Sequence, residues 1–218
     1  MVNKPAGLLT VPLPLRRREG AASVHDLLKE YLRSRKRRPF VVHRIDRDTS
    51  GLVVFAKSAS AQEQLKEQFL RREPARVYRA VVSGHPEPAT GMWTDHFVWD
   101  RKGLIQKRTH ARDPRGREAI TEYRVLEPFR DAALIEVRLR TGKRNQIRMQ
   151  AGLRGHELVG ERSYVGAAEP PRTIPFSRQA LHAYGLTLRQ PRSGRLLEFE
   201  APLPDDLVEL ISRLRKQQ

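Results

Sequence analysis

From Ala133 to Arg140 the chain alternates: Ala133, Ile135, Val137 and Leu139 take one set of positions, and Leu134, Glu136, Arg138 and Arg140 the other. Successive side chains of an extended strand point to opposite faces, so this pattern predicts a strand half buried against a core. Val77–Ser83, Met92–Trp99, Ala119–Leu126, Leu181–Leu188 and Arg195–Glu200 read the same way. Clusters such as GHPEPATG (84–91) and QPRSG (190–194) separate them and supply turns. Helical spacing is confined to three places. Residues 23–36 carry Val24, Leu27, Leu28, Tyr31 and Leu32 behind a Ser23/Asp26 capping box. A short helix is expected from Ser60, boxed by Glu63, with Leu65 and Phe69 on one face. A last one follows Asp205, with Leu207, Leu210, Ile211 and Leu214 inward. Strands joined by short turns with a few inserted helices predict an α+β fold on a largely antiparallel mixed sheet.

No repeat and no long linker divides the 218 residues, so a single domain over 1–218 is expected. There is no cysteine, which excludes disulfides, thiol nucleophiles and thiolate-held zinc. The longest apolar stretches, such as 51–56, fall far short of the roughly 20 residues of a membrane span. The opening MVNKPAGLLTVPLPL does not have the order of a signal peptide, so no membrane association and a cytoplasmic location are expected. Lys and Arg number 42 against 25 Asp and Glu, a net charge of +17. That balance points to a polyanionic partner.

Chemistry concentrates in His43-Arg44-Ile45-Asp46-Arg47-Asp48-Thr49-Ser50-Gly51, a polar string between the apolar runs Phe40–Val42 and Leu52–Ala56. Polar loops between buried strands commonly carry catalytic groups, because the scaffold positions them. An Asx-type turn, with Asp46 or Asp48 bonding local amides, accounts for the same composition.

The full string HRIDRDTSGLVVFAKS resembles the signature of the RluA family of RNA pseudouridine synthases: HRLD, two variable residues, TSG and an apolar strand. Further segments follow in family order. NKPAGLLTVP (3–12) resembles the opening NKPxG. VYRAVVSG (77–84) resembles Y-x-A-x-V-x-G. LRTGKRNQIRMQ (139–150) resembles L-x-T-G-R-T-H-Q-I-R-x-H. GHELVGERSY (155–164) resembles GHPIxGDxxY, and RQALHAYGL (178–186) with FEAPLP (199–204) resembles the closing segment.

The resemblance implies a pseudouridine synthase catalytic fold and isomerisation of uridines in ribosomal or transfer RNA. It implies Asp46 as the catalytic aspartate, Tyr78 as the aromatic packed against the target base, and Arg148 as the base that ion-pairs with the aspartate. Arg44, Arg47, Lys143, Arg144 and Asn145 would contact RNA. The reaction breaks the bond from uracil nitrogen to ribose, turns the base and rejoins it through carbon 5. A carboxylate can serve there as nucleophile or base, and a neighbouring guanidinium favours its charged form. An aromatic wall excludes water. A flipped base needs a positive groove for its backbone. No redox or phosphoryl step occurs, so no cofactor and no metal are required; the histidines (25, 43, 85, 96, 110, 156, 182) show no HExxH spacing.

Four positions depart from the pattern, in three places. Arg144 and Asn145 stand for Thr-His, Gln150 for the final His, and Glu161 for the Asp after the glycine. The first two changes are expected to retune RNA contacts. Many relatives begin with a strand and a small separate RNA-binding domain. Neither precedes NKPAG here, so substrate capture is expected on the domain's own basic surface, with Arg33–Arg38 and Arg101–Arg117 (read as an exposed loop) touching RNA backbone. No protein partner is implied and a monomer is expected. A catalytically silent RNA binder would have lost Asp46, which is present. A basic DNA- or ribosome-associated structural protein would need the charge but not the ordered motifs.

Overall fold

The structure, a computed structural model, describes residues 1–13, 22–100, 105–164 and 174–217. In chain order the elements are β1 (Val2–Lys4), α1 (Val24–Arg33), β2 (Phe40–Val41), β3 (Ser50–Val53), β4 (Phe55–Ala56) and α2 (Ala59–Leu70). Then come β5 (Ala75–Ser83), β6 (Thr90–Asp100), β7 (Ile105–Thr109), β8 (Arg117–Pro128), β9 (Ala132–Leu139) and α3 (Gln146–Gly152). The chain ends with β10 (Leu181–Arg189), β11 (Leu196–Glu200) and α4 (Asp205–Arg215). The class is α+β and the strand pairing is mostly antiparallel, as the alternating stretches predict. No described helix is long and apolar enough to cross a membrane.

Two compact units build the chain, one from residues 1–76 and 182–204, the other from 77–181 and 205–218. In the first, β3 runs antiparallel to β1 and parallel to β10, and β11 closes antiparallel on β10. Its core is Leu52, Val54, Ala56, Leu65, Leu186, Leu188 and Ala201, with Phe40 and Phe69 packed against it. Gly51 makes the β3–β10 approach workable. Its φ is +110°, and a Cβ there would lie 2.3 Å from the Ala183 carbonyl oxygen. Helix α1 starts at Ser23, whose hydroxyl accepts the Asp26 amide and donates to the Asp26 carboxylate, the box read from the sequence. Helix α2 starts two residues earlier than expected. Ser58, not Ser60, caps it by accepting the Ala61 amide, and Ser60 lies within the first turn.

In the second unit β5, β9, β8, β6 and β7 are antiparallel neighbours in that order. Strand β9 is more enclosed than its alternation predicts, because residues 132–137 are buried on both faces. Glu136 explains the polar face. Arg79 on β5 and Arg124 on β8 stand opposite it in register and, with Arg138, ion-pair to its carboxylate and cover it. The segment read as a loop over 101–117 instead contains β7 and opens β8; residues 101–104 lie outside the described residues. Main-chain pairing of Ile105–Thr109 with His96–Asp100 decides the matter where side-chain periodicity was weak. Helix α4 buries Leu207, Leu210, Ile211 and Leu214 as expected.

Candidate active site

Asp46 sits on the polar string between the short strands β2 and β3, and the N-terminal segment grips the residues on both sides of it. Thr10 Oγ1 donates to the Ile45 carbonyl at 2.9 Å and accepts the Ile45 amide at 3.3 Å. The Lys4 side chain is fully buried, and its ammonium donates to the carbonyls of Arg47, Pro5 and Leu8 at 2.7, 2.8 and 2.8 Å. A buried ammonium is tolerated only with its protons satisfied, and three carbonyls do that here. Arg47 Nε donates back to the Gly7 carbonyl at 3.0 Å. The Asp46 carbonyl accepts the Thr49 amide, closing the turn. This main-chain turn presents a partly buried carboxylate from a fixed backbone.

Two histidines brace this loop. The His43 ring stacks on Phe69 with centroids 4.7 Å apart, and its Nε2 accepts the Val54 amide at 3.1 Å. Burial, and secondarily the Arg76 charge, lowers its pKa to about 3, so the ring is neutral at physiological pH. His182 is fully buried, with Nδ1 2.9 Å from the Ser50 hydroxyl and Nε2 3.2 Å from the Ala201 carbonyl. Each imidazole ties a main-chain group, the Val54 amide or the Ala201 carbonyl, to a side chain. Lys4 and Thr10 fall within the opening NKPAGLLTVP resemblance and His182 within RQALHAYGL, but the sequence singled out none of the three.

Tyr78 and Arg148 belong to the second unit. Tyr78 lies on β5 opposite Val137, 9% exposed, and shares a face with Ala80, while Arg79 turns the other way to Glu136. Arg148 projects from α3. Its Nε and Nη2 donate to the two carboxylate oxygens of Glu161 at 2.6 and 2.7 Å, and Nη1 donates to Asn145 Oδ1 at 3.1 Å. Its guanidinium lies over the Tyr164 ring, 5.1 Å from the centroid. Burial alone would raise the Glu161 pKa. Hydrogen bonds from Arg148 and from the Ser163 and Arg162 amides, with the Arg148 charge, hold it below the ordinary range.

The residues around Arg148 do two kinds of work. Gln146, Ile147, Met149 and Gln150 face inward. Asn145 gives α3 no side-chain cap, and Gln146 instead braces the turn before the helix: its Oε1 accepts from the Thr141 hydroxyl and the Lys143 amide, and its Nε2 donates to Ile120 and Thr121. Gln150 has no exposed surface. It accepts from Thr121 and donates toward the Trp93 and Ala119 carbonyls and Asp95. This corrects the expectation that Gln150 retunes RNA contacts, because a side chain buried in a satisfied polar network cannot reach RNA. Asn145 has φ +53° and donates from Nδ2 to the Tyr164 hydroxyl at 2.7 Å. Arg144 is exposed and stacks over Trp99 at 4.5 Å. Arg44 and Arg47 are exposed beside Asp46, and Lys143 is partly buried. The geometry joins Asn145 and Arg148 directly. The role of Glu161 becomes visible only in the packing.

Comparison with known proteins agrees with this organisation. The sequence profile described as RNA pseudouridylate synthase matches residues 1–152. The chain is 44% identical over 179 residues to the "Uncharacterized RNA pseudouridine synthase YlyB" of Bacillus subtilis (strain 168), covering 82% of this chain and 57% of that one. It is 42% identical over 185 residues to ribosomal large subunit pseudouridine synthase D of Escherichia coli (strain K12), covering 80% and 55%. It therefore spans little more than half the length of these relatives. An RNA pseudouridine synthase of Chloroflexus aurantiacus is 40% identical over 217 residues, covering 98% and 66%. The solved human RNA pseudouridylate synthase domain containing 4 superposes with a TM-score of 0.78 at 22% identity, over 98% of this chain and 88% of that one, a likeness of fold. With the matched profile spanning most of its length, this chain belongs to the RNA pseudouridylate synthase family.

Proposed function

We propose that this chain isomerises specific uridines to pseudouridine in RNA, with Asp46 as the catalytic carboxylate. The observation that carries the reading is the grip on Asp46: Thr10 holds the main chain of Ile45 and Lys4 that of Arg47, one residue to either side. A carboxylate that must meet a sugar or base in one geometry gains from such preorganisation. In the reaction the N1–C1′ bond breaks, the uracil turns, C5–C1′ forms, and the C5 hydrogen leaves while N1 takes a proton. Asp46 acts as nucleophile or base, Tyr78 supplies the ring against the detached uracil, and Arg148 supplies the cation that keeps a carboxylate ionised. Arg44, Arg47, Lys143, Arg144 and Asn145 serve as RNA contacts, with the Arg144–Trp99 stack offering a cation and a π-face together. Ribosomal RNA is the first substrate to try, since one relative is named for the large ribosomal subunit; transfer RNA is the second.

The test uses release of tritium from C5-labelled uridine in these RNAs under single turnover. Asp46→Asn keeps the shape and removes the charge. Its rate is expected to fall by at least about 1000-fold, with RNA affinity within about threefold. A near-normal rate in Asp46→Asn overturns the assignment.

A further inference from the structure

Arg148 has a long side chain that would ordinarily sample many rotamers. Here three of its N–H donors are committed, to both oxygens of Glu161 and to Asn145 Oδ1, and Tyr164 lies against the guanidinium face. Such a set fixes the plane of the guanidinium and the direction of its outer edge. The clamp is itself anchored. The segment leading to Glu161 bonds to β5, the strand of Tyr78: Ser83 N–H donates to the Glu157 carbonyl, and Val159 N–H to the Val81 carbonyl, both at 2.9 Å. Gly160 then turns with φ +78°, at a place where a Cβ would lie 2.0 Å from the Arg178 carbonyl oxygen. Asn145 ties the far side, bonding both Arg148 and the Tyr164 hydroxyl.

Stability alone is a poor reason for this arrangement. The Glu161 side chain has no exposed surface and that of Arg148 only 13%. An enclosed ion pair costs desolvation that a well-packed apolar pair avoids. Two of the sequence departures also meet here. Glu161 is longer than the aspartate of the family pattern and Asn145 shorter than its histidine, and both end on one guanidinium.

We propose that Glu161 is a positioning residue for the isomerisation: it sets the orientation of the Arg148 guanidinium, with Asn145 as the second jaw. The inference rests on the reading above that Arg148 takes part in the reaction. Glu161→Gln keeps the length and weakens the pair. Its saturated single-turnover rate should fall about 100-fold, the scale of a misplaced catalytic group, with RNA affinity within about threefold. Glu161→Asp should recover part of that rate. Asn145→Gly tolerates the positive φ, removes the second jaw and should lose a smaller factor. A Glu161→Gln protein that melts earlier yet turns over normally per folded molecule overturns the inference and leaves a purely structural ion pair. Should Glu161→Gln fail to fold, Asn145→Gly decides alone, and an unchanged saturated rate there overturns it. Arg148→Ala separates the two levels. If it turns over normally, the underlying reading falls. If it is impaired while Glu161→Gln is not, only the inference falls.

Discussion

The Asp46 loop and the Arg148 arm hold their functional side chains by different physics. The loop is fixed through main chain: the carbonyl and amide of Ile45 are bound by Thr10, the carbonyl of Arg47 by Lys4, and the amide of Val54 by His43. The Asp46 side chain takes no part in those bonds. The arm is fixed through side chains, because Arg148 itself is the group gripped by Glu161 and Asn145. A group placed through its backbone is positioned by bonds that do not draw on its own charge. A group held through its head has its charge partly balanced by the holder. The loop should therefore answer to steric and backbone changes, and the arm to changes of charge.

The largest break expected is steric. In Gly51→Ala the new Cβ meets the Ala183 backbone at 2.3 Å on a φ of +110°, where backbone cannot yield cheaply. A loss of about 4 kcal/mol or more in urea unfolding is expected. If Gly51→Ala unfolds like the wild type, the β3–β10 approach is not the constraint on the loop that it is taken to be. Lys4→Met follows. It keeps the length but leaves the Arg47, Pro5 and Leu8 carbonyls without their donor, a loss of about 2–4 kcal/mol. The turnover of whatever fraction folds should fall as well. A stable Lys4→Met with full activity would show that the loop does not need its main-chain staple.

The two regions were unequally legible in the sequence for the same reason. The aspartate loop is a contiguous string, so HRIDRDTSG between two apolar runs could be read directly, and Asp46 opens a main-chain turn within it. The elements holding it are distant in sequence. A lysine at position 4 reads as solvated until its three carbonyl partners are seen, since lysine is rarely buried. Glu136 misled for a similar reason: its burial depends on arginines from two other strands. In the arm, the TGKRNQIRMQ run was legible as a unit, but its division was not. Thr141, Gln146 and Gln150 form a buried network, whereas Arg148 is held in the separate grip of Glu161 and Asn145. Hydrogen-bonding capacity is a residue property, but satisfaction is a property of the packing. The strand Ile105–Thr109 was lost among bases because register with a neighbour, rather than side-chain pattern, defines it.

Acid separates the regions next. His43 has its folded pKa depressed from 6.5 to about 3, so its neutral form is the one that folds. The unfolded chain binds the extra proton, and stability held above pH 6.5 is lost as pH falls toward 3. Glu161 is also depressed, but from the carboxylate range, so its contribution is held above about 4.5 and is lost only below that. Between pH 6.5 and 5 the wild type should lose about 1–2 kcal/mol, a slope near the 1.4 kcal/mol per pH unit of one proton. His43→Phe keeps a ring against Phe69 and should flatten that slope, at a constant cost for the orphaned Val54 amide. An equal slope in the variant would move the acid sensitivity of the loop to another group.

Arg47→Ala makes the smallest and sharpest cut. Two roles coincide at this residue: its carbonyl accepts the Lys4 ammonium, and its exposed side chain reaches the Gly7 carbonyl. If main chain fixes the loop, removing the side chain should change stability by no more than about 0.5 kcal/mol, as for an ordinary surface position. The same change should remove one phosphate contact, lowering the slope of log affinity against log salt by about 0.7–0.9 and weakening RNA binding at low salt most. The saturated rate should stay near normal, because Asp46 has not moved. A stability loss of several kcal/mol would mean that the Arg47–Gly7 bond, a side-chain contact, carries the loop, and the distinction between backbone-held and head-held groups would fail at its nearest neighbour to Asp46. An unchanged salt slope with unchanged stability would remove Arg47 from the RNA surface while leaving that distinction standing.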